Sequence, residues 1–137
     1  MSNEQIKSVL QLERLSFEEI SYSRKTDIVN TNIEYEMNFS RQIANHEDGK
    51  HHRVSLTANV WSKEGDIKLT VTVVGYFMCE CEDTNLKQHL IAYNTIAILF
   101  PYIRSQITLI TTQPDIPPVI LPAVNVVSLF QETDNKQ

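Results

Sequence analysis

Apolar and polar residues alternate through the first two-thirds of this chain and then change period. The clearest alternation sets Ile33, Tyr35, Met37 and Phe39 on one side and Glu34, Glu36, Asn38 and Ser40 on the other. That is the two-residue period of a strand with one buried face. It returns in Val54, Leu56, Ala58 and Val60 against Arg53, Ser55, Thr57 and Asn59. It returns again in Ile67, Leu69, Val71 and Val73 against Lys68, Thr70, Thr72 and Val74. An earlier strand runs from Leu10 to Tyr22, where Leu10 and Leu12 have one parity and Leu15 and Phe17 the other. A change of parity inside a strand predicts a bulge or a sharp twist. Ser23 to Asn32 reads as a polar loop. Asp48-Gly49, within a longer turn from Ala44 to Lys50, and Lys63-Glu64-Gly65-Asp66 separate the later strands. Short connections between successive strands favour an antiparallel sheet.

From Asp83 the period becomes helical, through Leu86, Leu90, Tyr93, Ile96, Phe100, Ile103, Ile107 and Ile110, with Asp83 or Thr84 as the N-cap. Ile98 and Leu99 lie off that stripe. A helix with apolar residues on more than one side is buried on more than one side, which in so small a domain points to a subunit interface. Pro101 predicts a kink or a division, because it cannot donate to the carbonyl one turn back. Gln113-Pro114-Asp115-Ile116-Pro117-Pro118 stops the helix and starts an extended connector. Asn125 then caps a last short helix carrying Val126, Leu129 and Phe130. Residues 1–137 therefore read as a single α+β domain: a four-stranded antiparallel sheet, a long Pro101-kinked helical region and a short C-terminal helix.

Composition removes several classes of function. A formal charge of -5 on 137 residues gives no basic surface for nucleic acid. Met1-Ser2-Asn3-Glu4 lacks the basic and apolar regions of a signal peptide, and no apolar run approaches bilayer-spanning length, so a cytoplasmic chain with no membrane insertion is expected. With three glycines, a phosphate-cradling loop is not expected. No nucleophile–base pair stands out, and His46, His51, His52 and His89 have no zinc spacing. Cys79 and Cys81 would share a strand face as reduced thiols; no metal, cofactor or catalytic residue is assigned. Trp61 sits on the third strand's otherwise polar face, either as a partly covered edge residue or as a contact with a subunit or partner.

Three segments carry a resemblance. Leu99-Phe100-Pro101-Tyr102-Ile103-Arg104, the ending Leu121-Pro122-Ala123-Val124-Asn125 to Leu129-Phe130, and the start Leu10-Gln11-Leu12-Glu13-Arg14-Leu15 with Ile20-Ser21-Tyr22 resemble the SecB family of export chaperones over nearly the whole chain. The resemblance implies a non-enzymatic homotetramer, a dimer of dimers, that holds unfolded or preprotein chains through apolar grooves. By position it implies a client groove with Ile33, Tyr35 and Met37 as one wall. Ile116, Val119 and Leu121 would form the other wall, and Ile107 and Ile110 the floor.

The resemblance also implies docking to the SecA motor through the sheet. Glu19 keeps a carboxylate at a SecA-facing position, whereas Ser23, Lys68 and Thr70 depart from the acidic or apolar contact pattern, Lys68 with inverted sign. Two functions stay open on these residues. One is a holdase for protein export and translocation, and the other is a SecB-like chaperone dedicated to one client, such as an antitoxin, without SecA docking.

Overall fold

The computed structural model describes residue 2 and residues 9–25, 32–114, 116–121 and 125–135. Its strands are β1 (Leu10–Arg24), β2 (Tyr35–Asn45), β3 (His51–Ser62) and β4 (Ile67–Cys79), in one antiparallel sheet ordered β1-β4-β3-β2. The change of parity in β1 is met by a register shift between Leu12 and Arg14, and a second shift between Phe17 and Glu19 restores the first parity. Leu15 and Phe17 thereby stay on the same side of the sheet as Leu10 and Leu12.

The strands outrun the hydrophobic alternation. β1 includes Ser23 and Arg24 of the expected loop, whose residues 26–31 lie outside the described residues. β2 begins at Tyr35, after Ile33, and continues to Asn45 because the following turn is tight. Gly49 takes a positive φ of 69°, which costs little without a Cβ. Asp48 Oδ1 accepts the backbone N–H groups of Lys50 and His51 at 2.8 and 2.9 Å, so the carboxylate closes the turn in place of a longer loop.

The helical region opens at Asp83, whose side chain accepts the N–H groups of Asn85 and Leu86 at 3.1 and 3.2 Å. It comprises α1 (Thr84–His89), a π-helical turn (Leu90–Asn94) and α2 (Thr95–Thr111) without interruption. Pro101 does not divide it. The carbonyl that Pro101 leaves unpaired belongs to Ala97, and both residues are exposed, so water can satisfy the group. The irregular turn comes earlier, at Leu90–Asn94. The buried line of α2 is Ile96, Leu99, Ile103 and Ile107, all fully covered by the sheet. Leu99 thus lies on the core stripe and Phe100 on its flank, reversing their expected places. Each such side chain contributes about 1.5–3 kcal/mol relative to exposure.

Leu99 meets β4 at Gly75. A Cβ on Gly75 would lie 2.9 Å from Leu99 Cδ2 and 2.5 Å from Phe77 Cε2, so only glycine admits this approach. The connector folds back on the last turns of α2: Thr111 Oγ1 accepts from Val119 N at 2.8 Å, and Thr108 Oγ1 donates to Val119 O at 3.1 Å. Residues 115 and 122–124 of the connector lie outside the described residues. α3 (Val126–Asn135) follows, with Asn125 Oδ1 accepting from Ser128 N at 3.2 Å as an N-cap does. Among the described residues no helix is long and apolar enough to cross a membrane.

Candidate binding surface

α2 lies over the two central strands, β3 and β4. The apolar side chains of the edge strands are therefore only half covered: Leu12, Leu15, Phe17 and Tyr22 on β1, and Tyr35, Met37, Phe39 and Ile43 on β2. On the β2 side a groove of about 350 Å³ runs between Met37, Asn38 and Phe39 of the strand and Leu129, Phe130 and Thr133 of α3. Phe100 stacks edge-on against Phe39, ring centroids 6.0 Å apart. A second depression, of about 590 Å³, lies on the outer side of α2 between Phe100, Pro101, Arg104, Leu109 and Ile120.

The residues expected to form a client groove are distributed over this surface. Tyr35 and Met37 are half-buried on β2, and burial pushes the Tyr35 phenol above its ordinary value. Ile33 precedes the strand and lines a small separate depression with Ser62 and Asp66. Ile110 is half-buried, whereas Ile107 is fully buried under the sheet. In the connector, Ile116, Val119 and Leu121 point inward and are buried, while Ile120 between the last two is 68% exposed. Phe39, Leu129, Leu109 and Ile120 escaped the sequence reading. Phe39 had a signal, since it continues the Ile33–Met37 row. In the run Val119-Ile120-Leu121 an extended backbone must turn one side chain outward, but which one depends on the threonine hydrogen bonds above.

The other face of the sheet carries no described helix. Across it Asn59 Nδ2 donates to Asn38 Oδ1 at 3.0 Å, and Thr70 Oγ1 donates to Asn59 Oδ1 at 2.8 Å. The Thr57 and Thr72 hydroxyls share a hydrogen bond of 2.8 Å. Glu19 lies beside Thr72, and Ser23 beside Lys68, so Glu19, Ser23, Lys68 and Thr70 share this face. Trp61 is there too, on the interior strand β3, with its indole N–H donating to Glu36 Oε2 at 3.0 Å. The same face carries the Arg53–Glu18 ion pair at 2.9 Å and the Arg14 guanidinium over the Tyr76 ring at 4.2 Å, so its neutral side chains are interspersed with partnered charges.

The titrating groups gather at the β2–β3 turn. Asp48 bonds the His51 ring and holds its pKa above the ordinary value, while burial pushes that of His52 below it. His52 Nδ1 shares a hydrogen bond with Asn45 Oδ1 at 2.7 Å. Cys79 and Cys81 are free thiols, and burial raises the pKa of Cys79. Among the described residues no three histidine, cysteine, aspartate or glutamate side chains are placed to hold a metal ion.

An antiparallel sheet, a long helical region, an extended connector and a short closing helix follow one another in the order the residue periodicity predicted. The family model described as preprotein translocase subunit SecB matches residues 4–137. The chain belongs to the SecB family. SecB-family proteins are chaperones without enzymatic activity. The protein-export protein SecB of Alkalilimnicola ehrlichii is 31% identical over 85 residues, covering 60% of this chain and 45% of that protein. An uncharacterised protein of Methanocaldococcus jannaschii is 41% identical over 64 residues, covering 47% of this chain and 41% of that protein. The chain thus spans less than half the length of these curated relatives. In fold, this SecB-family chain is similar to a SecB-like chaperone of Mycobacterium tuberculosis solved in complex with an antitoxin peptide. The TM-score is 0.70 at 12% identity, covering 88% of this chain and 91% of that one.

Proposed function

We propose that this SecB-family chaperone is a holdase, which keeps unfolded polypeptides from aggregating by covering their apolar segments. The observation that carries this reading is the apolar surface left open around the helical rod. Leu129 is 44% exposed beside the groove on β2, next to the half-covered row of Tyr35, Met37 and Phe39. Burial of apolar area is non-directional, so such a surface accepts many sequences. Met37 suits it because a flexible thioether adapts to varied partners.

In this reading Tyr35 and Met37 form one wall of the client groove, and Ile33, in its own depression just before the strand, extends the apolar surface beyond that wall. Ile116, Val119 and Leu121 shape the other from beneath, where Ile120 offers the contact, and Ile107 and Ile110 support the floor. The outer face of α2 is covered by further copies of the chain in a homotetramer, a dimer of dimers, that joins short grooves into long ones. The chaperone works in the cytoplasm, on preproteins before export.

The outer face favours a second reading, a chaperone dedicated to one client without docking to SecA. Glu18, next to Glu19, is paired with Arg53, and Lys68, Ser23 and Thr70 add no further carboxylate for a basic partner. Light scattering of a denatured client with one tetramer per client tests the holdase: suppressed aggregation is expected, and unabated aggregation sinks it. Affinity capture from the native cytosol separates the two roles. Mixed preproteins together with SecA favour export, and one dominant partner favours the dedicated chaperone.

A further inference from the structure

On the face of the sheet that carries no described helix, one row of side chains crosses all four strands. Arg14 of β1 lies opposite Tyr76 of β4, Tyr76 opposite Arg53 of β3, and Arg53 opposite Ala44 of β2. The register shift after Leu12 is what turns Arg14 to this face; an unbroken strand would have pointed it at the core. Neighbouring strands lie about 4.8 Å apart, so the Tyr76 side chain stands between two arginines rooted about 10 Å from each other. The Arg14 guanidinium lies over the Tyr76 ring, 4.2 Å from its centroid. The Arg53 and Arg14 guanidinium groups beside the phenol hold its pKa below the ordinary value.

His51 and His46 follow on the same face, one step nearer the β2–β3 turn, and side chains of both rows line a pocket of about 440 Å³. The short Ala44 side chain leaves this pocket open above β2. The carboxylates around it are already engaged. Glu18 pairs with Arg53 at 2.9 Å, and Asp48 and Glu13 lie against the two ring nitrogens of His51 at 2.5 and 3.3 Å. Among the described residues no carboxylate pairs with Arg14, whose contact is the Tyr76 ring. Arg14 is exposed, so an incoming carboxylate reaches it without displacing a resident one. Stacking on the ring holds the guanidinium in one plane, and a planar fork loses little freedom when it binds an anion.

We propose that this pocket takes aspartate or glutamate side chains from an extended acidic segment of a partner polypeptide, with Arg14 as the principal contact and Arg53 and the Tyr76 hydroxyl beside it. The site goes beyond the holdase reading and does not rest on it, because the client surface lies on the opposite side of the sheet. Charge complementarity selects the partner. A basic segment meets two arginines and finds the neighbouring carboxylates taken. A free carboxylate ion would leave most of the pocket unfilled, whereas a side chain and its backbone occupy it.

The test adds the full chain to short fluorescent peptides, acetylated and amidated so that only side chains carry charge. One alternates glutamate with serine, one has glutamine in place of glutamate, and one has lysine. Fluorescence anisotropy at low salt should show binding of the glutamate peptide alone, weakening as salt rises. Arg14→Gln should weaken it about tenfold, as the loss of one charge-assisted bond does. Ala44→Leu, which fills the pocket, should weaken it at least as much. Both residues are exposed, so urea midpoints should not move. Lys63→Gln, beyond the far end of β3, should leave binding unchanged. Equal binding of the glutamate and glutamine peptides, or no binding of either, overturns recognition by charge. Full affinity in Arg14→Gln or Ala44→Leu overturns the site. Displacement of the peptide by an equal concentration of acetate would assign the pocket to a small carboxylate. A rise in particle mass with concentration, lost in Arg14→Gln, would assign it to a second copy of the chain. Either result overturns the partner polypeptide.

Discussion

Neighbouring residues on a strand face opposite environments, and His51 and His52 show what that does to a titrating group. His52 is 6% exposed on the core side, and burial holds its pKa below the ordinary value. The unfolded chain then takes up a proton that the folded one refuses, so this residue lowers stability as pH falls below about 6.5. His51 is exposed, and Asp48 raises its pKa. Its contribution is present below its unfolded pKa and is lost as pH rises through the folded one. His52→Gln should therefore flatten the loss of stability on acidification, and Asp48→Asn should steepen it, read as urea midpoints between about pH 5 and about pH 7.5. Equal slopes in wild type and His52→Gln would show that His52 titrates as a solvated histidine. At Gly75 the test is steric. Gly75→Ala sets a methyl against Leu99 and Phe77 and should cost about 1–3 kcal/mol by overpacking; an unchanged urea midpoint would mean that α2 can slide off β4.

Elements carry the next set of constraints, and they were unevenly legible. The strands were read from alternation because one face of each is buried, and Asp83 and Asn125 were read as caps because their side chains had backbone N–H groups to satisfy. The strand ends were not, since β2 beyond Ser40 is Arg41-Gln42-Ile43-Ala44-Asn45, whose pairing depends on the Asp48 turn and on Arg41 finding Asp134 and Ala92. The π-helical turn has no local signature, and the Arg41 that donates to its Ala92 carbonyl is 51 residues away in sequence. The groove was legible on β2, where periodicity gives the face, and illegible in the connector, where tertiary hydrogen bonds select which of three apolar residues points outward. Pro101 shows the limit of a local rule. A proline lacking its donor should break a helix, yet α2 runs through it with the orphaned Ala97 carbonyl at an exposed position. Pro101→Ala restores that hydrogen bond and should raise protomer stability by about 1–3 kcal/mol in urea unfolding. A lower midpoint would show that Pro101 packs against something that alanine cannot replace.

For the whole molecule, the distribution of exposed apolar residues decides whether a single protomer is the working unit. The sheet covers one side of α2 completely, through Ile96, Leu99, Ile103 and Ile107. The opposite side leaves Leu109 and Ile120 at 68% exposure beside Phe100 and Pro101. A client covers such a surface only while bound, whereas assembly covers it permanently. Leu109→Glu separates stability from assembly. In the protomer the residue is mostly solvated, so folding should change by no more than about 0.5 kcal/mol. In the proposed tetramer the same carboxylate would enter a contact between helices with no partner charge, which is costly. Light scattering after size exclusion should then show a smaller particle with an unaltered unfolding midpoint, and suppression of client aggregation should weaken because the grooves no longer join. An unchanged particle mass would remove this face of α2 from the assembly. Loss of suppression at unchanged mass would instead place Leu109 in direct contact with the client, so the paired measurement tells a subunit interface from a binding groove.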